Sequence, residues 1–157
     1  MKILKKIVKI GLVLTAFFII CYVGLYAYAK MLPKLPIDKA NSYYLYDNQN
    51  ELFQGKNSKK WVSLDDISPH LINATIAIED KSFYHHKGFD FLRILKSLYI
   101  NITNGKTLQG ASTISQQYAK NLFLDFDKTW KRKINEAWLT IRLEAHYSKD
   151  KILEGYL

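Results

Sequence analysis

Between Lys9 and Lys30 the chain runs for 20 residues without a charge, drawn mostly from Ile, Leu, Val, Phe, Tyr and Ala. At about 1.5 Å per residue such a run makes a helix about 30 Å long, the thickness of a bilayer's hydrocarbon core. It is apolar on every face, unlike an ordinary core helix. Lys2, Lys5, Lys6 and Lys9 precede it, and only Lys30 and Lys34 follow closely. The positive-inside rule then predicts residues 1–9 as a cytoplasmic basic tail, residues 10–30 as an uncleaved transmembrane signal anchor, and everything beyond as exported. Tyr22, Tyr26 and Tyr28 gather at the outer end, where amphipathic rings favour the membrane interface. Tyr26-Ala27-Tyr28-Ala29 also offers the Ala-x-Ala of a cleavable signal peptide, but the apolar run is longer than such a leader needs.

Charge narrows the partners. Of 157 residues, 23 are Lys or Arg and 14 are Asp or Glu, a formal net charge of +9. Five of those excess charges sit in the first 30 residues, which hold no acid, and the rest are spread thinly. That mild bias fits an anionic ligand without naming one. No zinc-finger, RNP-type or basic-zipper pattern is present, so nucleic acid is not expected as a partner. The single cysteine, Cys21, lies inside the apolar run and leaves no intrachain disulfide.

Beyond the run, residues 31–66 read as linker and hairpin. Pro33 and Pro36 stiffen a segment without helical periodicity. Ser42 to Phe53 alternates around Asp47-Asn48-Gln49-Asn50, and Trp61 to Leu64 reads as a third short strand. From residue 67 to 157 the pattern is helical. Ser68-Pro69 reads as an N-cap and first helical position, leading through Leu71, Ile72, Thr75 and Ile76 to Glu79. A second helix starts at Asp90, carries Phe91, Ile94, Leu95, Leu98, Tyr99 and Ile102, and stops at Asn104-Gly105. A third covers about Ser112 to Leu122, a fourth about Thr129 to Tyr147, and a fifth starts at Ser148.

Three stretches carry chemistry. Glu79-Asp80 ends the first of these helices, just before Phe83-Tyr84 and His85-His86. A carboxylate against an apolar wall is where desolvation raises a pKa toward that of a useful base, although a solvated Glu-Asp pair at a helix end has the same pattern. In Gly110 to Asn121, a glycine precedes Ser112, whose hydroxyl can cap a helix with its free amides facing an anion. Gln116, Gln117 and Lys120 follow within about one turn, suited to hydroxyls and phosphate; an ordinary capped surface helix reads alike. In the fourth helix Ile134, Ala137, Trp138, Ile141 and Ala145 form one apolar stripe, yet Leu139 and Leu143 fall opposite with Arg132 and Glu136. Such a helix is expected to be central, with Glu136 buried and in need of the cation four residues earlier, as a site or a structural ion pair.

Glu79-Asp80-x-x-Phe83-x-x-His86-x-Gly88 resembles the first motif of family 51 glycosyltransferases, the group found in penicillin-binding proteins and monofunctional transglycosylases. Gly110-x-Ser112-Thr113-x-Ser115-Gln116-Gln117-x-x-Lys120-Asn121 resembles the second. Arg132-Lys133-x-x-Glu136 resembles the third, and Ile152-Leu153-Glu154-x-Tyr156-Leu157 the start of the fourth. The resemblance covers roughly residues 40–157. It departs at Ser115, where threonine is usual, and in stopping before the asparagine of the fourth motif and the whole fifth.

The resemblance implies a mainly α, lysozyme-like fold, C-terminally incomplete here, that polymerises lipid II into glycan strands for the bacterial cell wall. Glu79 would deprotonate the acceptor's 4-hydroxyl for inverting attack on the donor's anomeric carbon. Glu136 would be a second catalytic acid, near the donor's pyrophosphate or its divalent cation, Mg or Mn. Lys120 and Arg132 would offset charge on the departing pyrophosphate. Asp80, Phe83, His86, Ser112, Thr113, Gln116 and Gln117 would complete the substrate cleft. Partners implied are lipid II, the growing glycan strand, the membrane and a cell-wall synthesis complex. The alternatives are a membrane-anchored fragment that binds lipid II without turning it over, and a lysozyme-like glycan hydrolase.

Overall fold

The computed structural model describes residues 2–37, 45–46, 49, 52–54, 62–106, 109–124 and 129–157. It is mainly helical. α1 (Lys2–Met31) contains the apolar run, and Val8–Met31 is long and apolar enough to cross a membrane. The rest of the helical set is α2 (Pro69–Glu79), α3 (Phe91–Asn104), α4 (Ile114–Phe123), α5 (Trp130–His146) and α6 (Lys149–Tyr156). The expected Ser42–Phe53 hairpin lies largely outside the described residues. Only the backbones of β1 (Leu45–Tyr46) and β2 (Leu52–Gln54) are described there, paired antiparallel with an irregular register. Trp61 is also outside them, and Leu64 does not continue a strand but opens a 3-10 turn, Leu64–Asp66.

Local chemistry sets the helix ends. Asp90 accepts from the Arg93 N–H at 2.9 Å to start α3, and Gly105, at φ +61°, ends it in the left-handed region open to glycine. Thr129 and Ser148 cap α5 and α6 in the same way, each accepting from the amide three residues on. Two expectations are corrected. Ser68 stands at the N-cap of α2 but its side chain makes no capping bond, leaving its carbonyl and Pro69 to begin the helix. α4 is capped by Thr113 rather than Ser112: Thr113 and Gln116 exchange side chain–backbone bonds in a closed capping box.

The core joins Leu35, Ile37, Phe83, Ile114, Tyr118, Ala119, Leu143, Ile152 and Leu153. Leu35 and Ile37 come from the segment expected to be a bare linker. It is tied down instead, with its carbonyls at Pro33 and Leu35 accepting from Arg142 Nη2 and the Tyr147 hydroxyl. α5 is central, as its two-sided pattern requires. Glu136, Thr140, Leu143 and Glu144 are buried on one side. On the other, Trp138 stacks on Tyr28 of α1 with ring centroids 5.9 Å apart. The C-terminal turns of α1 are hydrogen-bonded to the domain as well as packed on it. Tyr26 donates to the Glu144 carbonyl at 3.0 Å, His146 Nε2 meets the Ala29 carbonyl at 2.8 Å, and Tyr22 donates to the Lys87 carbonyl. α3 is different: Phe91, Leu92, Leu95, Leu98, Tyr99 and Ile102 are all exposed, and only Ser97 is buried.

Candidate active site

Glu79 is the last residue of α2 and is half-buried. Arg93 of α3 holds its backbone carbonyl through Nη1, fixing where the helix stops. The carboxylate takes a hydrogen bond from Gln117 Nε2 of α4, 2.8 Å from Oε2. No cation pairs with it among the described residues. A glutamate held by one neutral donor keeps the lone pairs a base requires.

Asp80, one residue on, has no exposed surface. It accepts from the backbone N–H of Ile114 at 3.1 Å, at the first turn of α4 where the helix dipole favours a negative charge. His86 Nε2 lies 3.0 and 3.1 Å from its two oxygens. The Gly88 N–H donates to His86 Nδ1 at 3.2 Å, so that nitrogen is the acceptor and Nε2 carries the proton toward Asp80. Gly88 adopts φ +93°, and a Cβ there would stand 2.8 Å from Thr140 Cγ2 and 3.2 Å from Glu144 Cγ. The close approach lets the Gly88 carbonyl accept from Thr113 Oγ1 at 2.7 Å. Asp80, His86 and Gly88 thus clamp the end of α2 onto the start of α4, which sets Gln117 against Glu79.

At the α5 side, Glu136 is buried, with 2% of its surface exposed. Arg132 Nη1 lies 3.0 Å from Oε2, and Lys133 Nζ bonds Oε1 while reaching Ser112 Oγ at 3.3 Å. The Arg132 partnership follows from the i, i+4 spacing, whereas Lys133 was not expected. The pair Lys133–Ser112 links α5 to the loop before α4. Lys120 is half-buried on α4, and its ammonium has no ion-pair or hydrogen-bond partner among the described residues.

A third buried acid, Glu144, was not read from the sequence. Glu144 accepts from Ser115 Oγ and from Lys149 Nζ, the latter at 2.6 Å. Lys149 also lies over the Phe83 ring, 4.3 Å from its centroid. Burial pushes the Lys149 amine down, and the Glu144 carboxylate opposes that. The spacing Glu136, Thr140, Leu143, Glu144 is that of one helix face, so the signal was present. Two glutamates on that face read as polar because each brings its own partner.

The residues named from the sequence therefore fall into two layers. Glu79, Gln117, Ser112, Lys120 and Arg132 retain exposed surface; Asp80, Phe83 and Thr113 have none, while Gln116 and the His86 side chain have little. The buried group holds the partly exposed one in place. No three His, Cys, Asp or Glu side chains come together as a metal cage among the described residues. Both Glu136 oxygens are already taken by cations, a poor fit for a resident divalent ion.

A half-exposed carboxylate held by an amide has the chemistry to take up a proton, and a buried one gripped by two cations holds positive charge suited to an anion. Residues 47–157 match the family described as Transglycosylase, and the chain belongs to it. It is 58% identical over 97 residues to penicillin-binding protein 2D of Bacillus subtilis (strain 168), covering 62% of this chain and 14% of that protein. With penicillin-binding protein 1A of Aquifex aeolicus (strain VF5) the identity is 44% over 115 residues, 72% of this chain and 16% of the relative. With the biosynthetic peptidoglycan transglycosylase of Nitrosospira multiformis it is 49% over 112 residues, 68% of this chain and 49% of that protein. The chain thus spans at most about half the length of these relatives.

Proposed function

We propose that this chain carries acid–base and anion-handling residues of a peptidoglycan glycosyltransferase that extends lipid-linked glycan strands. In this reading residues 1–9 are cytoplasmic, 10–30 span the membrane once, 31–66 connect, and 67–157 act on the outer side of a bacterial cytoplasmic membrane. The substrates are lipid II and the growing strand. The observation that carries the reading is Glu79: a half-buried carboxylate with a neutral amide as its polar partner, facing no cation among the described residues.

The residues divide the work as follows. Glu79 removes the proton from the acceptor's 4-hydroxyl as that oxygen attacks the donor's anomeric carbon, inverting it. The bond from that carbon to the pyrophosphate breaks, and the lipid pyrophosphate leaves as an anion. A leaving group of that kind needs cations more than a general acid. Lys120 supplies an uncommitted charge, and Arg132 and Lys133 supply charge held in place by Glu136. Glu136 therefore acts through the two cations it orients. The Thr113 capping box and the Asp80 clamp keep Gln117 and Glu79 in register.

Incorporation of labelled lipid II by the full-length enzyme in lipid vesicles tests this. Glu79→Gln is expected to lower turnover by about 10²–10⁴-fold while leaving lipid II binding intact. Turnover equal to wild type would overturn the assignment. Shortening of purified glycan strands with no lipid-linked donor would mean a hydrolase instead.

A further inference from the structure

The last helix, α6, contributes a residue to the Glu79 site that no role yet covers. α6 crosses α4 so closely that a Cβ at Gly155 would stand 2.0 Å from the Tyr118 hydroxyl and 2.3 Å from its ring carbon. Glycine at that position therefore permits the approach, and it delivers the next residue, Tyr156, to the side of Gln117. The Tyr156 hydroxyl lies 3.3 Å from Gln117 Oε1, and the other end of the same amide lies 2.8 Å from Glu79 Oε2.

We propose that Tyr156 is a positioning residue for Glu79, acting by fixing which way the Gln117 amide faces. This rests on Glu79 being the base. A glutamine amide has two ends of nearly equal shape and opposite polarity, and an ionised carboxylate accepts only. Turned over, the amide would present its carbonyl oxygen to Glu79, and two acceptors would face each other. Oε1 also accepts only, so the phenol must donate to it, and a donor there selects the orientation in which Nε2 meets Glu79. Burial first, and the Glu79 charge second, push the Tyr156 phenol up from its ordinary value, which keeps the proton it donates. Two helices thus hold one carboxylate through a relay of three side chains: α6 through Tyr156, α4 through Gln117.

Tyr156→Phe removes the donor and keeps the ring. In the full-length enzyme kcat for lipid II incorporation should fall by roughly three- to tenfold, the loss of one hydrogen bond, with KM within about twofold. The acid limb of the kcat–pH profile should move to higher pH, because a carboxylate that loses a donor is harder to ionise. Gln117→Leu should lower kcat by itself, and adding Tyr156→Phe to it should cost nothing more. An unmoved acid limb, a change in KM alone, or losses that multiply in the double variant would each overturn the relay. Full turnover in Glu79→Gln would instead remove the base assignment, so the two failures are distinguishable.

Discussion

Glu79 and Asp80 are adjacent in sequence yet belong to regions of opposite character. The Glu79 region, where α2, α4 and α6 meet, holds a partly exposed acid with a single amide on its carboxylate. The region beneath it is a closed polar seam. Asp80, His86, Gly88 and Thr113 bind one another there, and Ser115, Glu144 and Lys149 continue it toward α6. An acid with spare lone pairs is useful for chemistry and contributes little to stability. A buried acid whose every oxygen is engaged does the reverse. The comparison teaches that one Glu-Asp dipeptide can place a reactive group and its foundation side by side, because a helix end turns the two side chains in different directions.

The contrast can be broken by substitution. The largest effect falls on rate: Glu79→Gln should cost about 10²–10⁴-fold in turnover while the melting temperature barely moves. Asp80→Asn should do the opposite first. It removes the charge that Ile114 N–H and His86 both address, and should lower stability by about 2–3 kcal/mol in denaturant titration. A rate loss in Asp80→Asn at unchanged stability would erase the distinction. Gly88→Ala forces a Cβ into a left-handed backbone 2.8 Å from Thr140 Cγ2 and should cost about 1–3 kcal/mol by the same measurement.

The smallest expected effect lies at the start of α3. The Arg93 N–H bonded to Asp90 holds that carboxyl below its usual value, against an opposing push from burial. A depressed folded-state pKa contributes stability above the unfolded value and loses it as the pH falls. Asp90→Ala should therefore cost about 1 kcal/mol near neutrality, shrinking as the pH drops below about 4, where the wild type loses its own advantage. A constant difference across that range would show that the cap acts without its charge.

Most helices were legible because their ends are written in short-range chemistry. Asp90, Thr129, Ser148 and Gly105 each do locally what their residue type does anywhere, so boundaries at α3, α5 and α6 could be read directly. The Ser112 and Thr113 ambiguity shows the limit. Both can cap, and only Gln116 three residues after Thr113 decides between them. Glu136 and Arg132 were readable from spacing within one helix. Lys133–Ser112, Glu144–Lys149 and Tyr156–Gln117 were not, because each joins two elements whose approach no local pattern encodes. Leu35 and Ile37 were missed for a related reason: two prolines mark a stiff segment but say nothing about what lies under it.

The docked C-terminal end of α1 has a mechanical consequence. Tyr22, Tyr26 and Ala29 bond that end to the loop before α3 and to α5, which couples the helix to the domain. If α1 spans the bilayer as proposed, a membrane that thins makes it lean, and one that thickens stands it upright. On that reading such a lean is passed through these bonds to α5 and the loop before α3, so the thickness of the bilayer bears on how the domain is held beside it.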